Sequence, residues 1–353
     1  MKAAVLTRFN HIEWKDVPEP EAGDTDVLIK VSFVSICGSD QHVFKGEFGP
    51  RVTLPTIQGH EFVGTIVGMG KDVTGFSIGD RVAADPIIWC GKCPACEIGH
   101  YPACTSLKLI GIDMNGGFAE YVTAKANMCY RIPDEVSDRD SALTEPYSIG
   151  FHASKRAGVK PGDTLAFFGA GKIGQHIMQA ARTITGNTAF VVDILDNRLD
   201  IVSRAYPDIV TINAFRENPV DIIKERTNGR GVDIAFEMTG DAVELDGRVH
   251  PVREAVRSIR GAGKVCVLSL GDQEVRLVMK ELIWKEGLLV TSRVCHGEFK
   301  DALEHLAKGV LHPEVLVSRV MHMSEAQKAF EMLEEEPEKY LKVLLTVDEG
   351  AVA

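Results

Sequence analysis

The stretch Thr164 to Asp193, TLAFFGAGKIGQHIMQAARTITGNTAFVVD, restricts the fold more than any other part of the chain. A short apolar run, Leu165 to Phe168, gives way to Gly169, Gly171 and Gly174, and Ile173, Ile177, Ala181 and Ile184 follow at helical spacing. This reads as strand, tight turn, helix. A second apolar run, Ala189 to Val192, stops on an acid, Asp193, 24 residues after Gly169. Gly169 allows the sharp turn, Gly171 lets the backbone approach a pyrophosphate, and Gly174 lets helix and strand pack closely. The turn Gly169-Ala170-Gly171-Lys172-Ile173-Gly174 is therefore a candidate dinucleotide site, with unpaired N–H groups at the helix start facing the phosphates. Asp193 would accept hydrogen bonds from an adenosine ribose, and Arg198 stands five residues further on. Glycine turns alone are weak signals in a chain with 33 glycines; the strand before, the helix after and the carboxylate at the next strand's end separate this one from an ordinary βαβ turn.

The 353 residues suggest about two domains. A formal net charge of -11, with no long basic run, argues against nucleic acid or an anionic membrane as a partner. Met1 to Trp14 lacks an apolar core of the kind an export signal needs, and no run of about 18 apolar residues occurs. The expectation is a soluble cytoplasmic protein whose eight cysteines are thiols or metal ligands.

The first 150 or so residues are mostly β in character: Lys2 to Leu6, Val27 to Val34, Gln58 to Val67, Arg81 to Ala84 and Phe118 to Ala124 are short strands broken by Gly and Pro, suggesting a small barrel or sandwich. Within this region Cys90, Cys93, Cys96 and Cys104 follow the order C-x-x-C-x-x-C with a fourth cysteine beyond. Four thiolates can surround one tetrahedral Zn²⁺ and leave no position for water, so the lobe reads as a structural zinc site. An iron–sulfur cluster or a redox pair is the alternative. Cys37, His60, Glu61 and Glu145 are ligand types spread over more than a hundred residues. That is compatible with an open catalytic zinc site, and each residue alone is equally compatible with a core or helix-start role. After Asp193, apolar runs at Ile209 to Ile212, Val232 to Phe236, Lys264 to Leu268 and Leu288 to Val290 bring the strands around the glycine turn to six. Helical segments at Val220 to Thr227 and Glu244 to Ile259 separate them. Ser324 and Gln327 read as a capping box for a helix presenting Ala326, Ala329, Phe330 and Leu333.

Taken in order, CGSDQH at Cys37, GHEFVG at Gly59, GDRV at Gly79, the four-cysteine lobe, GGFAEY at Gly116, Glu145-Pro146 and GAGKIG at Gly169 resemble the zinc-dependent medium-chain alcohol dehydrogenases. The likeness runs along nearly the whole chain and is strongest to the sorbitol, polyol and sugar-acid branch. The resemblance implies an α/β protein: a GroES-like β-rich catalytic domain over residues 1–153 with a zinc lobe at about 88–106, a Rossmann domain with a doubly wound six-stranded parallel sheet over 154–292, and a return to the catalytic domain over 293–353. It also implies two Zn²⁺ per chain, NAD as coenzyme and a homodimer or homotetramer. Cys37 and His60 would be catalytic-zinc ligands with Glu61 or Glu145 completing the set, and Asp40 would fix the second ring nitrogen of His60. Ser39 would touch the substrate oxygen, and His42 would end a proton relay. Arg293 matches a position near the substrate in polyol and sugar-acid enzymes.

The expected reaction is hydride transfer between a secondary alcohol of a polyol, sugar or sugar acid and NAD. Threonine dehydrogenase chemistry is the alternative within the family. A zinc-ribbon nucleic-acid-binding protein is the remote alternative, disfavoured because Lys92 and Lys108 are the only basic side chains from Cys90 to Lys108.

Overall fold

The computed structural model describes residues 1–240, 249–271 and 274–352. It divides into two compact units, one formed by Met1–Ser148 with Val294–Ala353 and the other by Ile149–Arg293. Among the described residues, no helix is long and apolar enough to cross a membrane.

The first unit is organised around the strand Asp26–Ser35, which has three neighbours. Glu61–Met69 pairs antiparallel along nearly its full length, Tyr121–Lys125 pairs with its first half, and the C-terminal strand Lys342–Thr346 pairs with its end. Val317–His322 then extends the sheet in parallel with Lys342–Thr346. The residues that point inward are branched and apolar; Val27, Ile29, Val31 and Val34 are buried with Ile66, Phe118 and Val343 in one core. Phe330 of the helix Ala326–Glu335 closes that core, 4.9 Å from Phe44 and 5.8 Å from Phe118. Strand formation begins at Tyr121, three residues later than the sequence suggests, because Gly117 and Phe118 donate instead to the carbonyls of Gly59 and Gln58. The expected capping box does not form. His322 caps the short 3-10 turn Met323–Glu325 by accepting from the Ser324 N–H, and the Gln327 Oε1 accepts from the Ile12 N–H.

The second unit holds a six-stranded parallel sheet in the order Val210–Asn213, Ala189–Asp193, Leu165–Phe168, Val232–Glu237, Ile259–Val267, Leu288–Thr291. Both faces of the inner strands are covered, whereas the edge strand Leu288–Thr291 is largely exposed. Leu165 and Phe167 pack with Ile177 and Ala181 of the helix Lys172–Thr185, while Ala166 and Phe168 face Ile223, Ala255 and Val256. This two-sided burial explains why these strands read as unbroken apolar runs. The strand order reverses beside Leu165–Phe168, which is where an open sheet of this type leaves a crevice for ligands. The helix expected over Glu244 to Ile259 is seen as Pro251–Ser258, started by the His250 ring accepting from the Val252 N–H; residues 244–248 lie outside the described residues.

Candidate functional site

In the first unit, one buried carboxylate fixes two candidate metal ligands. Cys37 is the N-cap of the helix Gly38–Lys45, and its N–H donates to Asp40 Oδ2 at 2.8 Å. The other oxygen, Oδ1, accepts from the Gly59 N–H at 3.3 Å and lies 3.3 Å from His60 Nδ1. Gly59 has a φ of +95°, and a Cβ there would stand 2.8 Å from the Phe118 ring, so a side chain is excluded twice over. The outcome is that a helix start and a strand start, far apart in sequence, present Cys37, His60 and Glu61 with ligand atoms within 4.8 Å of one another.

Glu61 is 1% exposed and bonded at Oε2 by Lys342 Nζ at 2.5 Å, itself 2% exposed. Burial pushes the Glu61 carboxyl up, but Lys342 and His60 override it and hold it down at about 2. Lys342 is the functional residue that the sequence reading missed. Its only local signal is a lone cation in the buried strand KVLLT. Glu145 stands on the first turn of the helix Thr144–Ala157 and is also buried. It lies outside the tight Cys37, His60 and Glu61 group, yet it feels their charge: burial, then Glu61, raises its carboxyl to about 7. Glu61 Oε1 and Glu145 Oε2 are buried without hydrogen-bond partners. Two acceptors left in this state beside a thiol and an imidazole suit a divalent cation, which would satisfy both oxygens and relieve their repulsion.

Ser39 Oγ is 4.0 Å from Cys37 Sγ. His42, on the same helix, is exposed; its Nδ1 pairs with Glu47, and its ring stacks on Phe48 with centroids 6.0 Å apart. The four cysteines of the lobe form a second tight group, again with sulfur atoms within 4.8 Å of one another. Cys93 and Cys96 are 3.5 Å apart at sulfur. That is far beyond a disulfide bond of about 2.05 Å and near the roughly 3.8 Å edge of a tetrahedron built on 2.3 Å Zn–S bonds. Backbone N–H groups of Thr105 and Cys96 aim at Cys93 and lower its thiol to about 6, while burial and the neighbouring Cys93 sulfur push the Cys96 thiol up to about 12, so thiolate character is unevenly shared across the group.

In the second unit Gly169 adopts φ +104°, and a Cβ on Gly174 would sit 2.0 Å from the Gly169 carbonyl oxygen. Both glycines are therefore obligatory. Asp193 ends its strand beside this turn: Oδ2 accepts from the Ala170 N–H at 2.7 Å, and Oδ1 accepts from Ile194 and Leu195. Arg198 Nη1 is 3.6 Å from Asp193 and lies against Gly171, so both side chains border the loop. Lys172 and Ile173 open the helix that follows. Arg293 is exposed and is the last residue of this unit.

Removing Lys342 would leave Glu61 as an uncompensated buried charge, so Lys342→Met should destabilise the protein by about 3–5 kcal/mol. Glu61→Gln with Lys342→Met should recover most of that loss. Chemical denaturation of the two variants checks this; equal stability of Lys342→Met and wild type would rule out the pairing.

Comparison with known proteins gives a consistent account. Residues 23–134 match the alcohol dehydrogenase GroES-like domain, and residues 173–308 match the zinc-binding dehydrogenase domain. The sorbitol dehydrogenase of Bacillus subtilis is 32% identical over 349 residues, covering 98% of this chain and 97% of that protein. The L-threonine 3-dehydrogenase of Alteromonas mediterranea is 28% identical over 338 residues, covering 94% of this chain and 96% of that one. Among solved structures, the Escherichia coli alcohol dehydrogenase RspB complexed with NADH superposes with a TM-score of 0.88 at 26% identity, covering 98% and 99% of the two chains. With its motifs in order along two units of the matching folds, the chain belongs to the zinc-dependent medium-chain alcohol dehydrogenase family and is an alcohol oxidoreductase.

Proposed function

We propose that the protein transfers hydride between a secondary hydroxyl of a polyol, sugar or sugar acid and NAD. The carrying observation is that Glu61 lies with Cys37 and His60 in one tight ligand group, that Glu145 is near enough to feel the charge of Glu61 and His60, and that each carboxylate has a partnerless buried oxygen. Carboxylates make this a more polar site than thiolates would, which suits a substrate with several hydroxyl groups. A buried hydroxyl that finds no partner costs about 1–3 kcal/mol. When bound, zinc supplies a Lewis acid that makes an alcohol more acidic, and the nicotinamide accepts the hydride. The chain's part is to hold and move the proton. Asp40 would orient His60, Ser39 Oγ would accept the substrate's hydroxyl proton while releasing its own into the relay, and the His42 ring, braced by Glu47, would be the outer end of that relay to solvent. Arg293 would bind a substrate hydroxyl or carboxylate.

Asp193 supports NAD over NADP. A 2′-phosphate near the loop would meet this carboxylate, and Arg198, already 3.6 Å from it, would offset the repulsion only in part. Assay with ethanol, threonine, sorbitol and gluconate should show the last two oxidised best, with NAD preferred; preference for ethanol, threonine or NADP would reject the corresponding part. Arg293→Ala should lower kcat/KM on the preferred substrate by roughly ten- to a hundredfold while NAD affinity stays nearly constant.

Each chain would carry two zinc ions, one at Cys37, His60 and a carboxylate and one in the four-cysteine lobe. Elemental analysis should find two per wild-type chain and one in Cys96→Ser, together with a lower melting temperature. Two zinc ions retained in Cys96→Ser would remove the lobe assignment.

The assembly would be a homodimer or a tetramer built from it. Leu288–Thr291 is the outer strand of the second unit's sheet, and Leu288, Leu289, Met279, Ile283, Trp284 and Leu270 are all exposed in the same segment of chain. An exposed apolar edge strand invites pairing, and a second copy can supply an identical edge about a two-fold axis. Sedimentation of Leu288→Lys with Trp284→Glu should give a monomer where wild type is a dimer or larger; an unchanged mass would place the interface elsewhere.

A further inference from the structure

Glu237 ends the strand Val232–Glu237 in the middle of the six-stranded sheet, and the residue has no solvent exposure. Its carboxylate is held by donors alone. Oε1 accepts from the Thr239 N–H at 2.8 Å and from the Thr239 hydroxyl, and Oε2 accepts from the Ser269 hydroxyl at 2.5 Å. Every bond runs toward the acid, and the short Ser269 contact has the length of a hydroxyl bonded to an anion, which is the pattern of an ionised carboxylate. Among the described residues no lysine, arginine or histidine forms an ion pair with it. An anion held by neutral dipoles keeps its whole charge, and in a protein interior its field is screened less than in water.

The sheet decides what this charge can act on. Glu237 stands opposite Phe168 of one neighbouring strand and Val267 of the other, so it lies at the same carboxyl end as the glycine turn. The Met238 N–H donates to the Phe168 carbonyl at 2.9 Å, and a Cβ on Gly169 would stand 3.0 Å from the Met238 carbonyl oxygen. The segment after Glu237 therefore packs directly on the turn. Three adjacent strands, Ala189–Asp193, Leu165–Phe168 and Val232–Glu237, end in that order on Asp193, the glycine turn and Glu237. A dinucleotide laid across this crevice has its adenosine ribose at the first and its pyrophosphate at the second. Its nicotinamide end then falls on the side of the third. The oxidised ring carries a positive charge and the reduced ring carries none, so a fixed anion on that side treats the two forms differently.

We infer that Glu237 is a specificity residue for the oxidation state of the coenzyme: its buried negative charge makes the protein hold the cationic oxidised nicotinamide more tightly than the neutral reduced one. Thr239 and Ser269 are positioning residues, since they fix the carboxylate at the strand end. The inference rests on the reading of the coenzyme as a nicotinamide dinucleotide. A preference for one form in binding shifts the hydride equilibrium on the protein toward that form by the same ratio, so NADH is the form more readily released.

The test is calorimetric binding of NAD⁺ and of NADH to the zinc-loaded protein in the absence of alcohol. Glu237→Gln removes the charge, while its amide oxygen can still accept from Thr239. It should weaken NAD⁺ binding about three- to thirtyfold and change NADH binding by no more than about twofold. Equal weakening of both forms would mark a mere support of the two loops and overturn the inference, as would no change in either. Glu237→Asp keeps the charge and should keep the wild-type ratio of the two dissociation constants within about twofold, whatever affinity it loses. Should Glu237→Gln fail to fold, Glu237→Asp decides the matter: a ratio shifted against NAD⁺ overturns the inference. A wild type that prefers NADP⁺ and NADPH rejects the NAD reading alone, because the ring charge is the same and the Glu237→Gln ratio is then read on that pair. A wild type that binds no nicotinamide dinucleotide overturns both.

Discussion

The buried ion pair between Glu61 and Lys342 is the interaction on which the candidate metal site depends. Glu61 begins the strand that follows His60, and Lys342 begins the C-terminal strand, so the pair joins the start of the site to the end of the chain. The Ile36 N–H donates to the Val343 carbonyl at 3.0 Å, which brings Cys37 beside the same lysine. A cation this deep is expensive to bury, and it persists because it faces an anion and a thiol. The charge it supplies keeps Glu61 ionised in a place where burial alone would neutralise it.

Asp40 complements that pair. With no exposure of its own, it spends both oxygens on the backbone at Cys37 and Gly59 and on the His60 ring. A ligand set drawn from separate elements is thereby held by rigid backbone contacts rather than by loops. Rigid support of this kind keeps metal ligands in register when a substrate enters. The arrangement also divides labour among carboxylates in one small volume: Asp40 orients, Glu61 is held anionic, and Glu145 is raised toward neutrality.

The two cysteine-containing groups differ in ligand type and in how fully their polar atoms are satisfied. In the lobe, four sulfurs from Cys90 to Cys104 close on one another, and Cys93, Cys96 and Cys104 are buried, so a metal there has nothing left to offer a substrate. At Cys37 the neighbours are an imidazole and carboxylates, two of whose oxygens have no partner.

Much of this was determined by the sequence alone, wherever the physics is local. Gly169 and Gly174 declare a strand–turn–helix because their conformation and close contact exclude a side chain, and the lobe is legible because its four thiols fall within 15 residues. The alternation of apolar runs with helices gave the six-stranded sheet, since a strand covered on both faces must be apolar throughout. Local reading failed at the start of the helix that carries Phe330, where a plausible capping box yielded to the His322 ring and to the Ile12 N–H, which donates to Gln327 Oε1 from more than three hundred residues away. The tertiary structure alone decided the placement of charge. Lys342 reaches Glu61 across 281 residues because the chain returns to the first unit after Arg293. A charge is stabilised or stranded by whatever folds over it, and nothing in its own segment records which strand that will be.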